Sequence, residues 1–202
     1  SFSLSKDGSI FYNGGYSNGS PPTPVMSNFL SSSFNLLSTV TTTSDLLGLN
    51  QNTGIMDFSQ NGLIFMKKSD ITNPYSSHQA YNLSTPYDLT TANTGVYQDV
   101  AIPTRVVSGI QGNGIDCKFC NNGLQLLCVN YFGYYPNYTT SKASLVSYVL
   151  SNAYDLNTYT FDKEKDISIN IQDRVIGGVW VDKTTGDIYV PRYDSKQLAH
   201  FK

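Results

Sequence analysis

The chain is short of charge. Asp, Glu, Lys and Arg make up only 14% of it, 13 basic against 15 acidic residues, for a net charge of −2. It has no Lys/Arg cluster, so nothing in it resembles the electrostatic footprint of a nucleic-acid binder. No apolar run reaches the roughly 20 residues that a membrane-spanning helix needs, so membrane insertion is not expected. Cysteine is also scarce: the three present lie between Cys117 and Cys128, too few and too close for a disulfide framework across a fold. There is no G-x-S-x-G, H-E-x-x-H or P-loop, and the two histidines, His78 and His200, are read as polar residues on half-exposed strands. No catalytic residue, metal site or cofactor is expected. The chain starts at Ser1 rather than Met, which suggests processing, trimming or an excerpt.

Aromatic residues are plentiful, with 15 Tyr and 10 Phe, among many Ser, Thr, Asn and Gly. Disordered chains show the opposite bias, whereas a β protein with many turns suits this one. The triplets at Asn18, Asn82 and Asn137 match the glycosylation pattern, but in so much Asn, Ser and Thr chance matches are the better reading.

Two nine-residue stretches, "YNLSTPYDL" (Tyr81 to Leu89) and "YVLSNAYDL" (Tyr148 to Leu156), agree at six places. A second pattern recurs beside them in "FSLSKDGSIFY", "MDFSQNGLIFM", "CKFCNNGLQLL" and "WVDKTTGDIYV". Each is an alternating apolar strand, a polar turn reaching Gly8, Gly62, Gly123 or Gly186, and a second alternating strand. That is a β-hairpin repeated four times. "LSTPYDL" then marks a corner between a third strand and a fourth; a degraded copy, "NFLSSSFNLLS", follows the first hairpin. The expected outer strands are "STVTTTSDLLGL", "TGVYQDVAI" and "DISINI".

The expected fold is all-β, a β-propeller of four-stranded antiparallel blades with about four repeats and an incomplete last blade. A sheet so small cannot hide both faces alone, so repetition is a physical requirement. The chain is read as one domain, 1–202, with repeats of approximately 1–53, 54–113, 114–176 and 177–202.

The string "YNLSTPYDLTTA" (Tyr81 to Ala92), with "FSQNGLIFM" and "LSKDGSIFY", resembles the short propeller repeats of phage tail and virion proteins and of some bacterial surface proteins. That resemblance implies a propeller displayed on a virion surface or outside the cell. It is weakest in the first third strand and in the fourth hairpin, where "DKTTGD" lengthens the turn.

Loops between the second and third strands carry the binding expectation. They read "YNGGYSNGSPPTP", "KKSDITNPYSSH" and "NYFGYYPNYTTSK", all emerging on one face by strand alternation. Tyrosine offers a flat apolar ring and a hydroxyl at low entropic cost. The candidate ligand-binding residues are Tyr16, Tyr75, Tyr131, Tyr134, Tyr135, Asn137 and Tyr138. The expectation is a non-enzymatic virion protein, a phage tail or capsid spike, binding a host receptor or surface glycan. The alternative is a virion scaffold docked to capsid or tail proteins, and last a secreted carbohydrate-active enzyme. Other virion proteins are expected partners, as is a second copy or partner chain completing the last blade.

Glycoside hydrolysis would need two carboxylates close together, for which Asp57 and Asp116 are available. Asp57 and Lys118 hold equivalent places in adjacent repeats, and an inter-blade ion pair is the simpler expectation. "CKFC" lacks the second Cys pair of a structural zinc site. The third hairpin's register pairs residues whose numbers sum to 245, setting Cys117 opposite Cys128; both are expected reduced. "DKEKD" (Asp162 to Asp166) reads as a solvated turn.

Overall fold

The computed structural model describes residues 2–13, 26–33, 35, 40–44, 56–68, 77–102, 106–107, 110–111, 113–132, 142–167, 178–182, 185–192 and 197–202. Three four-stranded antiparallel meanders, one three-stranded meander and one two-stranded pair make up the sheets of the described residues. The first is β1 (Phe2–Leu4), β2 (Ile10–Asn13), β3 (Met26–Leu30) and β4 (Val40–Ser44). The second is β5 (Met56–Phe58), β6 (Ile64–Lys68), β7 (Ser77–Leu83) and β8 (Ala92–Ala101). A small pair not foreseen from the sequence, β9 (Val106–Val107) and β10 (Ile110–Gln111), precedes the third sheet of β11 (Asn113–Cys120), β12 (Gln125–Phe132), β13 (Lys142–Leu150) and β14 (Tyr159–Asp166). The last holds β15 (Trp180–Val181), β16 (Ile188–Arg192) and β17 (Gln197–Phe201). The chain divides into two compact units, one with β1–β8 and one with β9–β17.

Turn chemistry explains the hairpins. In the first, Ser5 Oγ donates to Asp7 Oδ1 (2.7 Å) and accepts from Ile10 N–H (2.9 Å). In the second, Ser59 and Asn61 repeat the pattern at 2.7 Å, with Ile64 N–H at 2.9 Å. The fourth departs from it. Gly186 N–H reaches back four residues to Asp182 O, where Gly62 N–H reaches back three to Ser59 O. Counted from the first residue of the turn, Thr185 therefore stands at Gly62's place, and the four glycines are not all equivalent.

The twice-written corner is one structure built twice. Tyr87 and Tyr154 lie at φ 59° and 62°, the left-handed region that bulky residues avoid. Their N–H groups donate to Gly62 O and Gly123 O, both at 2.8 Å. Each ring lies over its glycine so closely that a Cβ there would run into it. Asp88 and Asp155 then accept from Thr90 and Asn157 N–H, capping a single 3-10 turn, and Leu89 and Leu156 are buried behind. The corner is structural, as its sequence implied.

Within the first unit β1 runs beside β5, and Tyr12 of the first sheet packs with Phe58, Phe65, Tyr81, Leu83 and Leu89 of the second. The Tyr12 hydroxyl donates to Tyr87 O, tying the first sheet to the second sheet's corner. Within the second unit β11 runs beside β15, and Leu127, Val129 and Leu145 pack with Val181, Val190 and Phe201. Fully burying each such side chain contributes about 1.5–3 kcal/mol.

Several expectations need correcting. The third sheet's outer strand is Tyr159–Asp166, so "DKEKD" lies in a strand and not a turn; this edge strand is mostly exposed and shows no apolar alternation. Lys67, Lys68 and Ser77 belong to β6 and β7 rather than to the loop between them, and His78 is on a strand as expected. His78 is buried, not half-exposed. Cys117 does face Cys128 across the ladder, but the two are joined as a disulfide, not reduced. Cys120 is outside that bond.

Gly62→Ala or Gly123→Ala should cost about 2–4 kcal/mol in urea unfolding, from backbone strain plus a displaced tyrosine. Gly186→Ala, with φ +79° but open space at its Cβ, should cost only about 1 kcal/mol; equal losses would contradict this account. Alkylation of unreduced, unfolded protein should modify Cys120 alone. Three adducts would contradict the disulfide.

Candidate functional site

Most of the loop residues put forward for binding, Tyr16, Tyr75, Tyr134, Tyr135, Asn137 and Tyr138, lie outside the described residues. Tyr131 is a strand residue, not a loop residue: its backbone pairs with Asn113 and Ala143. An exposed aromatic row exists elsewhere. Trp180, Tyr189 and His200 stand side by side across β15, β16 and β17, with ring centroids 5.1 and 4.8 Å apart. His200 Nε2 lies 3.0 Å from Asp187 Oδ1, and this contact, with the Thr185 hydroxyl, holds the Asp187 carboxyl below its usual range.

Asp57 belongs to the first unit, Asp116 and Lys118 to the second. Lys118 Nζ is 3.4 Å from Asp116 Oδ2, with both side chains buried. The same oxygen accepts from Val179 N–H at 3.0 Å. Gly178, at φ +109°, passes so close to the carboxylate that a Cβ would collide with it. Asp116 thus anchors the chain entering β15, a structural duty. Among the described residues no group of His, Cys, Asp or Glu could hold a metal ion.

The best-formed polar site was missed from the sequence. On the face of the second sheet that packs toward Tyr12, two rows cross the strands. The lower row is Phe58, Phe65, Tyr81 and Tyr97; the upper is Lys67, Gln79 and Asp99. Gln79 is fixed at both ends of its amide: Nε2 donates to Asp99 Oδ2 (3.2 Å) and Oε1 accepts from Tyr81 OH (2.8 Å). Lys67 is only 4% exposed. Its Nζ lies 5.8 Å from the centre of the Tyr81 ring, a cation–π contact. Among the described residues no carboxylate comes within ion-pair distance of it.

Burial pushes the Lys67 ammonium down to about 8, against a weaker upward pull from the Asp99 charge. Burial also pushes Tyr81 up to about 12. An amine of this kind is half-neutral just above physiological pH and binds or reacts more readily than a surface lysine. The signal was present in "IFMKK": strand alternation puts Lys67 on the same side as Phe65, facing the core. The third sheet, in its own unit, also carries buried polar groups. Asn130 and Ser144 are directly opposed, and Asn130 Nδ2 and Ser144 Oγ find no hydrogen-bond partner among the described residues.

No protein-family model matches the chain, and no curated protein matches it. Among solved structures it is similar to a putative 6-phosphogluconolactonase from Bacteroides fragilis, at 10% identity and TM-score 0.46, over 99% of this chain and 68% of the other. Another, from Bacteroides uniformis, gives 11% identity and TM-score 0.43 over 98% and 68%. This finding corrects the expectation of a non-enzymatic virion spike or scaffold: neither neighbour is a virion protein, and that reading is withdrawn. Likeness at this level brings no lactonase activity to the chain.

Lys67 titrates lower in the folded chain, near 8, than its ordinary 10.5. Its burial penalty is therefore full below about pH 8 and relieved between there and 10.5. Over that window stability should rise relative to Lys67→Met by roughly 2 kcal/mol, allowing for solvent screening. Thermal unfolding of both proteins from pH 7 to 10.5 measures this. Parallel curves would contradict a buried ammonium.

Proposed function

We propose that the repeats form blades of a β-propeller, and that the Lys67 row of the second sheet binds a small molecule bearing a carboxylate or phosphate group. The observation that carries this reading is a buried ammonium with no carboxylate in ion-pair contact among the described residues, beside an amide held in one orientation. Desolvating a cation without a counter-charge costs several kcal/mol, and an anionic ligand would offset that cost. Gln79 supports the arrangement, because Tyr81 and Asp99 hold its amide in one orientation beside Lys67, the charged donor. The Tyr81 and Tyr97 rings, stacked with centroids 5.1 Å apart, supply an apolar wall below it. Sites with an apolar lining and few placed polar groups are the usual small-molecule design.

Titration with inorganic phosphate and with acetate, following the Lys67 ε-methylene by NMR, tests the reading. Bound anion should raise the Lys67 titration midpoint by about one unit or more, and Lys67→Met should abolish the saturable binding. Identical binding by Lys67→Met, or an unmoved midpoint, would remove the site.

A further inference from the structure

Among the described residues two lysines are buried, Lys67 and Lys118, and they stand in opposite situations. Lys118 Nζ is matched by the Asp116 carboxylate at 3.4 Å. Lys67 Nζ has no such match among the described residues and meets instead the face of the Tyr81 ring, 5.8 Å from its centre. A lysine attacks a carbonyl carbon only through its unprotonated amine. An ion pair disfavours that form, whereas burial without a counter-charge favours it. Of the two, Lys67 is the candidate nucleophile.

The row in which it stands gives a way in. Lys67 is buried, its cross-strand neighbour Gln79 is half-buried, and Asp99 beyond Gln79 is exposed. In the row below, Tyr81 is buried and Tyr97, stacked on it, is 44% exposed. A small molecule entering from β8 passes along this aromatic wall and meets the amine last.

We propose that Lys67 captures a 2-oxo acid as a protonated imine, a reading that rests on the anion site proposed above and names its ligand. The amine lone pair forms a bond to the carbonyl carbon. The carbonyl oxygen leaves as water, taking one proton from the amine and one from solvent, and the nitrogen keeps one proton and a positive charge. That cation stays over the Tyr81 ring, whose face attracts it. A carboxylate on the carbonyl carbon lies beside the new charge by covalent geometry alone, and so brings the counter-charge that no described carboxylate gives Lys67 at ion-pair distance. Burial keeps out the water that would hydrolyse the imine. With its titration pushed down to about 8, the amine is already half unprotonated at that pH.

The probe is glyoxylate, the smallest 2-oxo acid, added to the intact chain at pH 8 with cyanoborohydride. Hydride delivered to the imine carbon leaves a carboxymethyl group on the lysine. Peptide mapping should find that group on Lys67 about tenfold sooner than on Lys118 or on the exposed Lys163. With acetaldehyde, which lacks the carboxylate, the preference for Lys67 over Lys163 should be about tenfold smaller, the value of one charge-assisted contact. Glyoxylate labelling of Lys67 no faster than of Lys163 would overturn the proposal, as would an equal preference with both aldehydes. Acetate that shifts the Lys67 ε-methylene while glyoxylate leaves no adduct there would overturn the imine and keep the anion site. Loss of both responses would overturn both.

Discussion

A tyrosine at positive φ, its ring laid on a glycine of a neighbouring turn, is the constraint on which the second and third sheets turn. The left-handed conformation costs Tyr87 and Tyr154 on the order of 1 kcal/mol or more each. The return comes from a backbone hydrogen bond to Gly62 or Gly123 and from an aromatic contact, Phe58 with Tyr87 or Phe119 with Tyr154, each contact contributing about 0.5–1.5 kcal/mol. The corner leads into the fourth strand and the turn joins the first two, so one contact fixes both ends of the meander. Glycine is required at that turn because the ring occupies the space of a Cβ.

That contact orders what surrounds it. Once the corner is fixed, Leu89 and Leu156 are held behind the hairpin, and the face carrying them becomes the packing face. In the first unit Tyr12 reaches across to the corner carbonyl. Lys67 stands on that same face, one row above the aromatic layer, and its burial follows from the packing of Phe65 and Tyr81 beneath it. A site with a depressed amine thus arises where a core-facing position is given to lysine.

The hairpins, their register and the corner could be read from the sequence because each depends on local chemistry: period-two alternation, a Ser-x-Asp/Asn-Gly turn, an Asp cap. The pairing of Cys117 with Cys128 followed from counting alone; their oxidation did not, since register sets proximity and not redox state. The strand Tyr159–Asp166 was hidden because an edge exposed on both faces needs no apolar pattern. The fourth turn, expected to be lengthened at "DKTTGD", is the same length as the second, Asp182 N–H to Asp187 O against Ser59 N–H to Ile64 O, and sets its glycine one place later. Lys67 was misread because the loop boundary was drawn at the first charged residue, while the strand runs past it; His78 was placed on a strand, but its burial was not foreseen. Asp116 with Val179 joins residues 63 apart in sequence, and no local pattern encodes such a meeting.

The direct test is the chemical shift of the glycine α-protons. In folded protein one Hα each of Gly62 and Gly123 should be displaced well upfield by the ring face of Tyr87 or Tyr154, while Gly186 stays near its unfolded position. Tyr87→Leu should return Gly62 alone to its ordinary shift. Three glycines with indistinguishable, unshifted α-protons would mean that the corner tyrosines do not sit on the turns, and that the sheets are held together in some other way.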